Sequence, residues 1–394
     1  MLQQIGTLLQ YCILVFLTWQ VAYLLFFSVA AKLSKPTIFP PAKTRRKIRI
    51  FIPGYKEDAV IIATAKDALC QIYPAGLFEV VVIADSFSEQ TLAALHRLPI
   101  KIIQVKFEKS TKGKALHQAI QVMANSPVDI VLILDADNHM APGFLDAVNN
   151  AFEQGYLAVQ GHRTAKNMAS PFAFLDACTE EINNHIFRRG HVAAGLPCAL
   201  IGSGMAFDEP LFISLLQNIG DTAGEDKELE FRLLRQRKKI AFLDGEYVYD
   251  EKVAATHVFS KQRSRWLAMQ AEFFKKYFIE GWVQLFKGNI AFFDKAVQTY
   301  LLPRVMLVAT LLLWLVWVFI FSHQLMFFSI GLTIALAVSL FMGIPYGWYN
   351  KKLLVAFLQI PAALLSMVKA LLHSGKARNQ FIHTPHGDSS TNNQ

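Results

Sequence analysis

One feature limits the folds open to this chain more than any other: an apolar run from Ile5 to Ala31 without a charged residue. The run exceeds the roughly 20 residues that a helix needs to cross a bilayer. A cleaved signal peptide is the alternative, because residues 28–31 are small. However, no Lys or Arg precedes the run, and the run is long for such a peptide. We therefore predict a retained transmembrane anchor.

Basic residues follow this anchor, at positions 32, 35, 43, 45–47 and 49. Since cytoplasmic loops of membrane proteins carry the excess of Lys and Arg, we expect the N-terminus outside and the following chain in the cytoplasm. We therefore predict an integral membrane protein, located in a bacterial inner membrane. The net charge of +9 then marks the cytoplasmic membrane boundary and an anionic substrate, and we expect no nucleic-acid partner.

Further apolar runs lie near the C-terminus. Val305 to Phe321 and Leu325 to Ile344 are separated by a short uncharged polar break, which predicts a transmembrane hairpin. The run from Leu353 to Leu372 has basic residues at both ends. A spanning helix would place one basic end outside, so an interfacial or re-entrant helix is favoured over a spanning one. The aromatic and basic segment 272–296 predicts an amphipathic helix at the membrane surface, with a core helix as the alternative.

The segment between anchor and hairpin has the pattern of a soluble α/β domain. Apolar runs at 48–52, 80–84, 100–107 and 130–134 alternate with helix-like stretches. Continuous apolar strands of this kind indicate a mainly parallel sheet that is covered by helices on both faces. In such sheets ligands bind beyond the carboxyl ends of the strands. Functional side chains are therefore expected at the strand ends.

Asp135-Ala136-Asp137 follows the fourth strand. Two carboxylates one residue apart can hold Mg²⁺ or Mn²⁺ together with substrate phosphate oxygens. A solvated turn is the alternative. His257 is a weaker candidate as a further metal ligand, because a lone histidine is more often structural.

Two later segments add functional groups. Asp226, in Gly224-Glu225-Asp226, could act as a general base, although acids in a first helical turn often only complement the helix dipole. Gln262 to Trp266 holds two Arg residues suited to phosphate and a Trp ring suited to a sugar. The alternative for that segment is a basic helix face near lipid headgroups. His185, Arg188, Arg189 and His191 are expected to form a basic surface.

The order of these motifs resembles that of membrane-bound, processive-type family 2 glycosyltransferases, the group of cellulose, chitin and hyaluronan synthases. The resemblance runs over about 48–266 and includes an Asp-x-Asp and a Gln-x-x-Arg-Trp motif. It implies a GT-A-type fold, with a mixed, mainly parallel sheet and flanking helices, joined to transmembrane and interfacial helices. Ala84 stands where the family has the first of two Asp residues, and Gly224 stands where it has Thr.

The resemblance also implies roles for single residues. Asp226 is the implied catalytic base. The implied metal ligands are Asp135 and Asp137, with Mg²⁺ or Mn²⁺ as cofactor. The implied donor-site residues are Pro53, Tyr55, Glu57, Asp85, Lys114, Asp135 and Arg265, with Lys114 preferred over Lys112. The implied acceptor-site residues are Gly204, Glu225, Gln262 and Trp266. In the tail, Phe381 and Thr384 resemble a gating motif, for which an ordinary tail is the alternative.

Together these inferences predict a metal-dependent, inverting hexosyltransferase that uses a nucleotide-diphosphate sugar, a UDP-sugar, and glycosylates a polysaccharide or glycan hydroxyl at the membrane. A lipid-acceptor enzyme similar to ceramide glucosyltransferases is the alternative, and a non-catalytic nucleotide-binding assembly protein is a distant one. Expected partners are the donor, a glycan or lipid acceptor, and membrane lipids. The predicted division is an anchor at 1–34, a glycosyltransferase domain at 46–271, an interfacial helix at 272–296, a transmembrane hairpin at 297–345, an interfacial or re-entrant helix at 350–374 and a cytoplasmic tail at 375–394.

Overall fold

The computed structural model of the protein describes residues 2–217, 219, 224–252, 256–362 and 365, and for 256–265 the helix but not the side chains. Its centre is an eight-stranded sheet with the order β3-β2-β1-β4-β7-β6-β8-β5. The strands are β1 (Ile48–Tyr55), β2 (Phe78–Asp85), β3 (Lys101–Val105), β4 (Ile130–Ile133), β5 (His139–Met140), β6 (Ala158–Ala165), β7 (Met205–Asp208) and β8 (Ala241–Asp250).

The sheet is mixed and mainly parallel. Strands β1 to β4 run parallel to one another, β6 runs parallel to β8, and β7 is antiparallel to both of its neighbours. The short β5 pairs antiparallel with β8 at the edge. The prediction of a GT-A-type sheet is confirmed.

Helices cover both faces of this sheet because the side chains of each strand alternate between the faces. In β1, Ile50 and Ile52 pack into one core and Phe51 into the other. The first core is closed by α2 (Ile61–Leu69), α3 (Glu89–Leu95) and α5 (Phe144–Glu153). The second is closed by α4 (Lys112–Val122), α8 (Glu209–Leu216) and α9 (Glu225–Arg235). Both faces of the parallel part of the sheet are therefore buried.

Three helices in the described part of the chain are long and apolar enough to cross a membrane. They are α1 (Leu2–Leu33), α12 (Arg304–Phe321) and α13 (Met326–Met342). A short 3₁₀ turn, His323–Leu325, joins α12 to α13. The helix α14 (Lys351–Phe357) packs into the same apolar cluster through Leu353 and Ala356.

The soluble domain contacts these helices through α6 (Pro171–Asn183), which continues into a π-helix (Asn184–Gly190) and the short α7 (His191–Ala193). Phe174, Cys178 and Ile182 of α6 belong to one apolar cluster with α1, α12 and α13. Glycine permits the closest approaches. A Cβ on Gly190 would clash with the carbonyl of Phe27 in α1, and a Cβ on Gly343 would lie 2.9 Å from Cα of Ile182.

The expectation of a basic surface at residues 185–191 is wrong for three of its four members. Arg188 is 3% exposed, His185 7% and His191 1%. His185 hydrogen-bonds the carbonyl of Ser28 in α1 at 2.9 Å. The two histidines are buried because this stretch packs against α1, where His191 contacts Tyr23. Arg188 is buried beside Glu180 and Asn184.

Residues 272–296 do not form one helix. They comprise the end of α10 (Thr256–Phe286), a turn at Gly288 with φ of +72°, and α11 (Ile290–Gln298). Phe273 and Tyr277 are buried against Phe231 of α9. The opposite face of α10 exposes a row of large apolar side chains at Phe274, Phe278, Ile279, Trp282, Val283 and Phe286. The predicted tail 375–394 lies outside the described residues.

Candidate active site

A cavity of about 880 Å³ lies beyond the carboxyl ends of β1 and β4 and extends to the candidate membrane-spanning helices α1, α12 and α13. Its polar end is lined by groups from six segments, namely Pro53, Tyr55, Glu57, Lys112, Asp135, Asp137, Gly202, Glu225, Asp226 and Trp266. These segments meet because parallel strands end at one edge of the sheet. Most of the predicted site residues that the structure describes are thereby brought together.

Asp135 lies two residues after β4, and its backbone N–H donates to Oγ of Ser203 at 3.0 Å. The Lys112 ammonium contacts the Asp135 carboxylate and donates to the carbonyl of Gly202 at 2.6 Å. Burial alone would lower the pKa of Lys112, but Asp135 and Glu225 raise it above its ordinary value. Lys112 is therefore a fixed positive charge at the acidic end of the cavity.

Asp137 is only 8% exposed. Burial, followed by the nearby carboxylates of Asp250 and Asp135, raises the pKa of Asp137 well above its ordinary value. A divalent cation would relieve this repulsion, and carboxylate oxygens are the ligands that Mg²⁺ and Mn²⁺ prefer. The donor chemistry of Asp135 and Asp137 therefore fits such an ion. Within the described residues no group of three or more His, Cys, Asp or Glu has the arrangement of a metal site, so substrate and water oxygens would complete the coordination.

Asp226 and Glu225 begin α9 at the opposite wall. A Cβ placed on Gly202 would lie 3.7 Å from both Oδ2 of Asp226 and Nζ of Lys112, so these two groups converge on the Gly202 turn. Glu225 lies 3.7 Å from Lys112. Burial raises the pKa of Glu225 to about 7, against the opposing charge of Lys112 and with a further contribution from Asp226. Asp226 therefore faces the cavity beside a second, buried acid.

Among the predicted residues that the structure describes, Asp85, Lys114 and Gly204 lie outside the cavity lining. Asp85 is buried at the end of β2, where it accepts from Oγ of Ser86 at 2.9 Å. The ammonium of Lys114 donates to the carbonyl of Lys109 at 3.1 Å in an exposed position. The binding roles of Asp85 and Lys114 stay predictions. The resemblance favours Lys114 over Lys112 as a donor-site residue, but of these two lysines it is Lys112 that lines the cavity.

Gly204, predicted as an acceptor residue, has a backbone role in this structure. Its φ is +63°, and its N–H donates to the carbonyl of Ile133 at 2.9 Å while its own carbonyl accepts from Gly161 at 2.8 Å. A Cβ there would lie 2.6 Å from Val248. Gly204 therefore connects β4 to β6 and shapes the turn that presents Gly202.

Five predicted residues have side chains outside the described part of the chain. Gln262, Arg265 and His257 belong to α10, but their side chains lie outside the described residues. Phe381 and Thr384, the predicted gating pair, lie outside them as well.

Sequence reasoning missed a buried charge network in the middle of the cavity wall. Glu180 of α6 lies 2.9 Å from Arg163, 3.4 Å from Arg188 and 3.6 Å from Lys252. Lys252 also lies 2.7 Å from Asp250. Although burial alone would raise the pKa of Glu180, the surrounding cations hold it far below its ordinary range. The network joins three separate segments of the chain, at residues 163, 180–188 and 250–252, so no local motif could reveal it.

The other end of the cavity is apolar. It is lined by side chains of α1, α12, α13 and α14 and of residues just beyond α13 and α14, namely Leu24, Val305, Val308, Ala337, Leu340, Phe341, Ile344, Phe357 and Ile360. One continuous cavity thus passes from a group of acids, past buried ion pairs, to apolar side chains at the membrane helices.

Comparison with known proteins identifies the class of this fold and site. Residues 45–268, more than half of the chain, match the family model described as glycosyltransferase like family 2. The chain belongs to this family, which confirms the glycosyltransferase prediction at the level of the family. The processive synthase type stays a prediction.

Two relatives and one solved structure illustrate the similarity. A beta-monoglucosyldiacylglycerol synthase of Trichormus variabilis is 27% identical over 227 residues, which are 56% of this chain and 48% of the relative. A probable glycosyltransferase of Bacillus subtilis is 27% identical over 58% of each chain. This chain thus spans about half the length of the curated relatives it matches. A mannosyltransferase of Pyrobaculum calidifontis, solved with GDP-Man and Mn²⁺, shares the fold with a TM-score of 0.55 and 18% identity, over 89% of this chain and 99% of its own.

Proposed function

We propose that the protein transfers a sugar from a nucleotide-diphosphate sugar, a UDP-sugar, to a hydroxyl of a lipid that enters the cavity from the membrane. The observation that carries this proposal is the single cavity that holds both the acids of the sheet edge and side chains of α1, α12 and α13. A hydrophobic lipid chain suits the apolar end, because burying apolar surface is favourable without directional contacts.

The donor would bind at the polar end. Asp135 and Asp137 would hold Mg²⁺ or Mn²⁺, which neutralises charge on the leaving diphosphate. Pro53, Tyr55 and Glu57 line the same region and would contact the nucleotide. Arg265 would reach the diphosphate, as the resemblance implies. The mannosyltransferase that shares this fold was solved with Mn²⁺, which supports the choice of ion.

Asp226 would act as the general base. It takes the proton of the acceptor hydroxyl as that oxygen attacks the anomeric carbon, and the bond from this carbon to the diphosphate oxygen breaks. Attack from the face opposite the diphosphate inverts the anomeric configuration. Trp266 and Gln262 would position the acceptor, and Glu225 would support it from the cavity wall. Lys112 would hold the Asp135 carboxylate in place, since it contacts both Asp135 and the Gly202 turn.

A polysaccharide or glycan acceptor is the second candidate. The order of motifs from Pro53 to Trp266, which resembles that of the processive synthases, favours it. The apolar lining of the cavity and the glucosyldiacylglycerol product named for the relative from Trichormus variabilis favour the lipid. We retain the predicted orientation, with the N-terminus outside and the catalytic domain cytoplasmic.

Release of nucleotide diphosphate from a donor panel tests the proposal. The purified chain would be incubated with UDP-glucose, UDP-N-acetylglucosamine, UDP-galactose or GDP-mannose and Mn²⁺, with and without a mixed lipid extract in detergent. We expect lipid to increase release from at least one donor and to yield an organic-soluble sugar product. Release that lipid does not change, with all product in the aqueous phase, would reject the lipid acceptor.

A further inference from the structure

Lys227 is a cation in the cavity wall that the proposed mechanism does not use. It follows the proposed base Asp226 in α9 and lines the cavity. Within the described residues its ammonium has no hydrogen bond or ion pair. Other cavity cations do have carboxylate partners: Lys112 contacts Asp135, and Lys295 lies 2.7 Å from Glu230. Lys227 is therefore available for a bound group.

The electrostatic surroundings of Lys227 favour an anion. Burial, together with the nearby charge of Lys295, lowers the pKa of Lys227, although the carboxylates of Asp226 and Glu230 act in the opposite direction without contacting the ammonium. An ammonium that is partly withdrawn from water without a carboxylate partner costs free energy. A phosphate group placed beside it would offset that cost through a charge-assisted hydrogen bond.

The position of Lys227 decides which phosphate it meets. Lys295 belongs to α11, and the cavity lining continues from there through Gln298, Thr299 and Leu301 to Arg304 at the start of α12. Lys227 therefore lies on the wall that leads to the membrane end. The proposed ion ligands Asp135 and Asp137 lie after β4, at the donor end. An anion at Lys227 would thus belong to a group that arrives from the membrane side.

We propose that Lys227 binds the phosphodiester of the acceptor, so that the acceptor class is a phospholipid with a hydroxylated headgroup. This inference rests on the proposed function and deepens it. Asp226 and Lys227 are neighbours at the start of one helix. A headgroup whose hydroxyl lies a few bonds from its phosphate could therefore reach the base and the ammonium together. Arg304, which donates to the carbonyl of Thr179 at 3.2 Å, adds positive charge where the wall meets α12.

The probes are two short-chain lipids that differ by the phosphate. Dihexanoylphosphatidylglycerol carries a phosphodiester and free hydroxyls, and dihexanoylglycerol carries a hydroxyl without phosphate. Binding of each to the full chain in detergent would be measured by native mass spectrometry, beside binding of UDP. The variants are Lys227→Gln, the charge-conserving Lys227→Arg, and Lys239→Gln, a control at an exposed lysine outside the cavity.

We expect the wild type to prefer the phosphodiester lipid by about tenfold or more, as a charge-assisted contact warrants. Lys227→Gln should lose this preference, while Lys227→Arg and Lys239→Gln keep it, and UDP binding should not change. Equal binding of both lipids by the wild type would overturn the inference. A Lys227→Gln variant that binds UDP more weakly and both lipids normally would overturn it too, because the phosphate would then be the donor's.

A transfer assay separates this inference from the function beneath it. Dihexanoylglycerol could be glycosylated at the same rate as the phosphodiester lipid, with both rates unchanged in Lys227→Gln. That result would reject a phospholipid as the acceptor class but would leave the proposed lipid-acceptor function intact. If sugar is transferred only to a carbohydrate acceptor and neither lipid binds, both the phospholipid inference and the lipid-acceptor function are rejected.

Discussion

The two ends of the cavity are built in different ways. At the polar end, Lys112 at the start of α4 directly contacts both Asp135, which lies just after β4, and Gly202, which lies just before β7. At the other end, Val308, Leu340 and Phe357 come from separate helices and share only apolar packing. Single charged atoms therefore matter at the first end, and shape and volume matter at the second.

Removing the proposed base should have the largest effect at the polar end. Asp226→Asn keeps the size of the side chain but cannot take the acceptor proton, so we expect transfer to fall by about 10²–10⁴-fold. Donor affinity, measured by UDP binding, should stay within about twofold of the wild-type value, because Asp226 is not one of the proposed donor contacts. Glu272→Gln, at an exposed position of α10, serves as the control. A variant that turns over like the wild type would refute the assignment of Asp226.

Asp137→Asn should come next in size. Loss of a carboxylate from the proposed ion site should weaken Mn²⁺ binding by about tenfold or more. Electron paramagnetic resonance of Mn²⁺ measures this binding. Chelation with EDTA should abolish transfer by the wild type, and added Mn²⁺ should restore it. If Asp137→Asn binds Mn²⁺ as tightly as the wild type, the ion is held elsewhere.

The apolar end can be blocked without touching a charge. Val308→Trp would place a bulky ring in the cavity, and Leu313→Trp places the same ring on the outer face of the same helix. Because a clash opposes the lipid but not the donor, we expect transfer to lipid to fall by about tenfold in Val308→Trp alone. UDP binding should be equal in both variants. Equal transfer by both would show that the acceptor does not use this end.

The smallest effect is a change of stability with pH at Glu225. Its pKa is raised to about 7 in the folded protein, so the folded state holds a proton that the unfolded state releases at lower pH. Stability from this group therefore falls as the pH rises from the ordinary carboxyl range through about 7.

Glu225→Gln lacks this titration. Its melting temperature relative to the wild type should be higher at about pH 8 than at about pH 5. Differential scanning fluorimetry measures both, with Glu272→Gln as a control whose difference from the wild type stays constant. A difference that is constant for Glu225→Gln as well would contradict the raised pKa.

The contrast between the two ends also explains what the sequence could predict. Continuous apolar runs that stop at polar residues such as Asp135 or Tyr55 predict the strands and the acids that follow them. The sheet and the polar end of the cavity could therefore be predicted from the sequence. The choice between Lys112 and Lys114 was not, because it depends on how α4 is rotated against the Gly202 turn. Basic residues at 185–191 suggest an exposed surface, whereas Gly190 lets the π-helix approach α1 closely and His185 is buried there, and Arg188 is buried in the ion-pair network with Glu180. Contacts of that kind join distant segments and leave no local pattern.

The nature of the product tests the central claim most directly. The purified chain would receive a labelled donor sugar with a defined lipid and, in a parallel reaction, a glycan acceptor, and the products would be separated by solvent extraction and chromatography. We predict one organic-soluble product that carries a single sugar on the lipid and is absent with Asp226→Asn. A water-soluble ladder of growing chains, formed equally well without lipid, would contradict the account.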